Sequence, residues 1–167
     1  SQMGIEDVSL ACSLPGMVVM VPADENATRK ATQQMIDHVG PTYLRAGRGD
    51  APAIYDENVD FQIGKAITLR EGSDVTIIAN GLMVAGALDA ADELAAEGIS
   101  ARVLDMHTVK PIDQAAIADA ASQTKGIVVA EEHLHHGARG RCRQIGHHPG
   151  PGRPALSSGT AGRGLSS

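Results

Sequence analysis

The 167-residue chain has no tryptophan, one phenylalanine and two tyrosines. Its hydrophobic fraction is nevertheless 43%, enough for a core. Val, Ile, Leu, Met and Ala must fill that core, and small alanines suit helices packed closely on a sheet. Cysteine is as scarce: Cys12 and Cys142 are the only two, far apart and in dissimilar contexts. That excludes a disulfide framework and fits a reducing, cytoplasmic setting. Long apolar runs are missing too. The longest, near Met17 to Val21, is far too short to span a bilayer. The opening SQMGIEDVSL has neither a basic stretch nor an apolar run, so it does not read as a signal peptide. Excess positive charge is also absent, and a formal net charge of −6 argues against a general nucleic-acid binder. A cytoplasmic protein with no membrane and no nucleic-acid partner is expected.

What is present, over the first 134 residues, is an alternation of helices and strands. Ile5, Val8, Ala11 and Cys12 share a helical spacing between Gly4 and Leu14, and Pro15-Gly16 breaks it. Met17 to Val21 suits a buried parallel strand. Asp24 can N-cap a helix running to about His38, with Ala27, Ala31 and Met35 as its stripe. Thr42 to Arg45 reads as a short strand. Residues from about Asp50 to Gly72 read as a connector, with a short strand or hairpin between Phe61 and Leu69. A second unit starts at Ser73. The strand Val75 to Ala79 turns at Asn80-Gly81 into a helix carrying Val84, Leu88, Ala91 and Ala95, stopped by Gly98. Ala101 to Met106 is the next strand. Asp113 caps a helix ending near Ser122, and Gly126 to Ala130 is a third strand. Such an order predicts an α/β fold with a mostly parallel sheet.

The character then changes. From His135 to Ser167 there is no Asp or Glu, while the stretch holds five Arg, eight Gly, three Pro and four His. Its large apolar residues Ile145, Leu156 and Leu165 show no period. A disordered tail is expected, because too little apolar surface is available to offset ordering entropy. Arg, Gly, Pro and Ser are also what GC-rich DNA yields when read out of frame, and out-of-frame translation is the preferred reading of residues 135–167.

Four phrases occur in one order: GIEDVSLACSLPGMVVMVPADENATRKAT, GPTYLRAGRG, EGSDVTIIANGLMVAGALDAADELAAEGISARVLDMHTVKPID and GIVVAEEH. In wording and order they resemble the carboxy-terminal section of transketolases, closest to the separately encoded carboxy-terminal subunits of split bacterial and archaeal enzymes. The resemblance covers residues 1 to about 134. It implies the end of a pyrimidine-binding thiamine-diphosphate domain over residues 1–60, a connector over 61–72 and an incomplete carboxy-terminal α/β domain over 73–134. The implied reaction moves a two-carbon ketol unit from a ketose phosphate to an aldose phosphate, with thiamine diphosphate and magnesium. The family's activating glutamate lies upstream of the segment matching Ser1, and its diphosphate and metal ligands belong to another domain or subunit. The resemblance therefore implies no catalytic residue and no metal ligand in these 167 residues. It leaves the cofactor contacts unassigned and implies an amino-terminal, diphosphate-binding subunit or domain as partner, in a homodimer or heterotetramer.

One substrate contact is implied by residue. Arg48, in LRAGRG, falls where the family places an arginine on the sugar phosphate. A guanidinium offers phosphate oxygens a fixed fork of donors. Gly47 and Gly49 beside it allow close backbone approach. On its own residues Arg48 reads as a solvated surface arginine, and the resemblance reverses that. Arg45, at the strand end, reads as a structural salt-bridge partner. The family's substrate-touching histidine is absent, since its position falls on Gln2, or on Ser1 with a one-residue shift. Two other thiamine enzymes share the layout, deoxyxylulose-phosphate synthase and the beta part of a 2-oxoacid dehydrogenase. A non-catalytic subunit-interaction module is the reading of another class.

The remaining candidates read as structural. His133, His135 and His136 beside Glu131 and Glu132 invite a metal, but they are a strand end running into the tail; His147-His148 lies deeper in it. His107 reads as a loop or satisfied structural histidine, and Asp105, His107 and Ser100 form no hydrolase motif. Asn80-Gly81 has one glycine and is no phosphate-loop fingerprint. Glu6, Asp7, Asp24 and Glu25 sit at expected helix starts, where they favour the helix dipole. The apolar surface around Val128, Leu104 and Ile117 is expected to be partly uncovered, beside an unpaired strand edge.

Overall fold

The computed structural model describes residues 4–47 and 51–133. In chain order the elements are α1 (Asp7–Ser13), β1 (Val18–Met20), α2 (Glu25–Asp37), β2 (Thr42–Leu44), β3 (Ile67–Arg70), β4 (Val75–Ala79), α3 (Met83–Ala96), β5 (Ala101–Asp105), β6 (Thr108–Lys110), α4 (Gln114–Gln123) and β7 (Gly126–Ala130). They form an α/β fold on two mixed sheets. The first has the order β2-β1-β6 and the second β3-β5-β4-β7.

β1 is short and apolar, and all three of its residues are buried. Val19 faces α1 through Val8, Ala11 and Cys12. Val18 and Met20 face α2 through Ala27 and Ala31. Burial on both faces is why the run is continuous rather than alternating. β1 pairs in parallel with β2, as a right-handed crossover through α2 requires.

In the second sheet β5, β4 and β7 are parallel, and β3 is an antiparallel edge on β5. α3 covers one face through Val84, Ala87 and Ala91. Ile99 N–H closes its last turn onto the Leu94 carbonyl, and Gly98 N–H onto that of Ala95, a paired C-terminal cap. α4 covers the other face through Ile117 and Ala120.

Three expectations need correction and a fourth is narrowed. α1 begins at Asp7 rather than Gly4, because Glu6 caps nothing with its side chain; that carboxylate accepts the Ile5 N–H instead. Of the short strand or hairpin expected between Phe61 and Leu69, the structure has the strand, β3, beginning at Ile67, while Phe61 is buried beneath α2. Residues after β5 are not a plain loop. They form β6, which leaves the second sheet and pairs antiparallel with β1 of the first. Leu104 and Ile117 are 3% and 2% exposed, because α4 seals that face; only Val128, at 53%, is open to solvent.

Candidate functional site

β6 brings the two sheets together, and polar residues collect where they meet. Asp24 is 4% exposed. One carboxylate oxygen accepts the Ala27 N–H at 2.8 Å as the expected N-cap of α2. The other accepts the N–H groups of Ile54 and Tyr55, both at 2.8 Å. The Tyr55 hydroxyl then donates to Asp105 Oδ2 at 2.7 Å. Tyr55 thus links the start of α2 to the end of β5. Asp105 is fully buried and its Oδ1 has no partner. Burial pushes its pKa up to about 7, opposed by the Tyr55 bond and helped by the charge of Asp24. Burial, with the Asp105 charge beside it, also raises the Tyr55 phenol.

Two residues beyond Asp105, His107 is fully buried and stacks on Phe61 with ring centroids 3.8 Å apart. Its Nδ1 meets the Thr108 hydroxyl at 3.0 Å, and Nε2 has no partner. Burial lowers its pKa to about 4, so the ring is neutral at pH 7. His107 thus joins two strands rather than sitting in a loop, and with Nε2 unpartnered it is not the fully satisfied histidine expected.

A second cluster lies at the carboxyl ends of β4 and β7. The order β5-β4-β7 makes this gap a topological switch point, the place where open α/β sheets bind ligands. Here it is closed by the first unit. Its walls are Asn80, Gly81, Leu82, Glu132 and His133 on one side and Val21, Arg45 and Gly47 on the other, around a cavity of about 10 Å³. That is room for about one water. Gly81, at φ +54°, donates its N–H to the Val21 carbonyl at 3.1 Å, and a Cβ there would sit 2.9 Å from the Val21 side chain. A Cβ on Gly47 would sit 2.9 Å from Leu82 Cγ. Gly47 does permit close approach, but to a side chain of the second unit.

Arg45 spans this seam. Its Nε lies 3.4 Å from Asp7 Oδ2, which also accepts the Tyr43 hydroxyl at 2.7 Å. Its Nη1 reaches the Glu132 carbonyl at 3.5 Å and donates to His133 Nδ1. That contact requires an unprotonated Nδ1. Burial first, and the Arg45 charge second, hold the His133 pKa below the usual range. Arg45 is the structural salt-bridge residue that its position on the strand end suggests. Arg48, Gly49, Gln2, Ser1, His135, His136, His147, His148 and Cys142 lie outside the described residues, as does the expected tail from 135 onward.

Sequence reasoning missed the roles of Asp105 and Tyr55. The available signal was a carboxylate, Asp105, at the end of an otherwise apolar strand; its partner lies fifty positions away and leaves no local pattern. Among the described residues no three His, Cys, Asp or Glu side chains gather to hold a metal ion. The switch-point cavity, at about 10 Å³, has no room for a diphosphate–magnesium group.

Residues 64–141 match the family described as "Transketolase, C-terminal domain". The chain is 50% identical over 131 residues to the 6-deoxy-6-sulfo-D-fructose transketolase subunit SqwH of Clostridium sp. strain MSTE9, covering 78% of this chain and 41% of that subunit. It is 41% identical over 137 residues to an apulose-4-phosphate transketolase subunit of Phocaeicola vulgatus, covering 81% and 44%. A solved structure titled "Split gene transketolase, inactive beta4 tetramer" superposes with a TM-score of 0.84 at 42% identity, over 86% of this chain and 48% of that one.

The chain belongs to the transketolase family, as a carboxy-terminal section. It spans less than half the length of the transketolase subunits it matches. Within this transketolase section the Asp24–Tyr55–Asp105 chain and the Arg45 contacts bridge the two units beside the β1–β6 pairing. No helix of the described residues is long and apolar enough to cross a membrane.

Proposed function

We propose that this chain is part of a thiamine-diphosphate- and magnesium-dependent transketolase that moves a two-carbon ketol unit from an anionic ketose to an aldose phosphate. The family match carries this reading. Residues 1–60 would be the last part of a pyrimidine-binding domain and residues 73–134 the first part of a carboxy-terminal domain, joined by 61–72. The partner is an amino-terminal subunit or domain that binds the diphosphate, within a homodimer or heterotetramer in the cytoplasm. The cofactor, when bound by that partner, supplies the electron sink for the ketol carbanion. This chain's own contribution is to present Arg48 from a segment held by the contacts between its two units.

Arg48 forks onto the anionic end of the sugar. The name of one relative carries a sulfonated ketose and that of another a sugar phosphate. Both anions present pairs of oxygens to a guanidinium, so the choice between them is made elsewhere. With the complementary subunit added, turnover is expected on xylulose 5-phosphate plus ribose 5-phosphate, and not on pyruvate plus glyceraldehyde 3-phosphate. The opposite preference would assign the chain to a deoxyxylulose-phosphate synthase. In that complete enzyme Arg48→Ala should raise KM for donors with a distal phosphate or sulfonate about ten- to a hundredfold, the value of about 1.5–3 kcal/mol for a charge-assisted bond. Hydroxypyruvate, which has no distal phosphate, should be affected far less. Equal losses on both donors would make Arg48 structural.

The 167 residues alone are expected to show no thiamine-dependent turnover, because the resemblance puts the activating glutamate and the diphosphate and metal ligands on segments outside them. Turnover by the purified chain, free of contaminating enzyme, would refute this.

A further inference from the structure

The chain turns from β4 into α3 through Asn80-Gly81-Leu82, and the first unit grips that turn on two sides. On one side Gly81 N–H donates to the Val21 carbonyl at 3.1 Å. On the other, Leu82 meets Gly47. A Cβ on Gly47 would lie 2.9 Å from Leu82 Cγ, 3.0 Å from Cδ1 and 3.1 Å from Cδ2. The fork of the leucine is thus seated on bare backbone. Gly47 does not have positive φ, so this contact uses its missing side chain rather than its conformational freedom. The turn that carries Leu82 is fixed. Met83 and Val84 donate their N–H groups to the Asn80 and Gly81 carbonyls at 3.2 and 3.1 Å, and Leu82 is already helical at φ −60°, ψ −22°.

The segment under that leucine has fewer anchors. β2 ends at Leu44, and Arg45 N–H donates to the Met20 carbonyl at 2.9 Å. Among the described residues the next backbone N–H to be bonded is that of Ile54, by Asp24. Gly47 lies between these two ties, and Arg48 follows it in the chain. We infer that Leu82 is a positioning residue for the sugar donor: by seating on Gly47 it sets the point from which the backbone delivers Arg48. The carboxy-terminal unit thereby acts on substrate binding without touching the substrate. This role rests on the assignment of Arg48 to the anionic end of the donor. A guanidinium fork is directional, because its two N–H bonds must meet two oxygens together. A misplacement of about 1 Å can cost a hundredfold in rate, so a smaller shift of this backbone should still cost several-fold.

In the complete enzyme, with ribose 5-phosphate as acceptor, Gly47→Ala should raise KM for xylulose 5-phosphate about three- to tenfold, leaving kcat and the KM for hydroxypyruvate within about twofold of wild type. Leu82→Ala empties the seat from the other side and should raise the same KM. Combined, the two changes should partly cancel, because the added methyl enters the volume that the leucine vacates. The double variant should therefore lie nearer to wild type than either single one. Leu82→Met keeps the volume and should keep the KM.

In an Arg48→Ala background Gly47→Ala should add nothing, because the residue through which it acts is gone. Additive losses from Gly47→Ala and Leu82→Ala would overturn the inference. So would equal losses on hydroxypyruvate, or a Gly47→Ala effect undiminished in the Arg48→Ala background. Failure of the Arg48 assignment itself reads differently. Arg48→Ala alone would then cost both donors equally, whatever Gly47 and Leu82 do, and the positioning role would fall with it.

Discussion

Replacing either of two buried groups, Asp105 or His107, is expected to reveal a pH dependence that the other conceals. Asp105 has a pKa of about 7 in the fold against an ordinary value of 3.8. Between those limits the folded chain holds a proton that the unfolded chain has released. Its contribution is therefore fully present below pH 3.8 and is lost as pH rises through about 7. The gap is worth about 4 kcal/mol at most. His107 runs the other way. Its pKa falls from 6.5 to about 4, so between those limits the unfolded chain holds the extra proton. Its contribution is present above pH 6.5 and is lost as pH falls through about 4, a span worth about 3 kcal/mol at most. Over the shared window the slopes have opposite sign and similar size.

Asp105→Asn keeps an acceptor for Tyr55 and removes one slope. Relative to wild type its stability should rise with pH, gaining about 3 kcal/mol from about pH 4 to 6.5. His107→Phe keeps the stack on Phe61 and removes the other. Relative to wild type its stability should fall by up to about 3 kcal/mol across the same window. Urea midpoints at a series of pH values measure both. Parallel curves for wild type and both variants would mean that neither group titrates as its burial demands.

The larger pieces of this fold are visible in the sequence because each is set by local spacing. The α2 cap at Asp24, the buried run of β1, the α3 stripe and the three strands of the second unit all follow from neighbours within a few residues. β6 does not. Three residues, Thr-Val-Lys, carry no period, and they form a strand only because β1 offers an edge across the molecule. The same holds for the site. Asp24 is legible as a cap, but its second oxygen serves residues thirty positions on, and Asp105 finds its partner fifty positions back. Arg45 could be assigned a salt bridge from its place at a strand end; that its other contacts are Glu132 and His133 depends on how the two sheets dock. Sequence pattern reports helices, strands and caps, whereas the chemistry at this seam is made of contacts between them.

Asp24→Ala is expected to cost more than a helix cap. A lost N-cap alone costs about 0.5–2 kcal/mol. Here the same carboxylate also holds the N–H groups of Ile54 and Tyr55, and no other acceptor is bonded to them. Removing it leaves three backbone donors unsatisfied in a part-buried seam. At about 1–3 kcal/mol each for fully buried donors, and less in a part-buried seam, the loss should fall in the lower part of the summed range, about 3–5 kcal/mol, a large share of a stability of about 5–15 kcal/mol. Asp24→Asn separates the two roles. Its oxygen can keep the Ala27 N–H, but its NH₂ must then face two donors, so only about 1 kcal/mol should return. An Asn variant as stable as wild type would show that the Ile54 and Tyr55 bonds contribute nothing. The damage should also travel along the chain of contacts. With its backbone released, Tyr55 no longer presents its hydroxyl to Asp105, so Tyr55→Phe should cost much less in the Asp24→Ala background than alone. A double-mutant cycle reads that coupling directly, and additive losses would mean that Asp24 and Asp105 hold the seam independently.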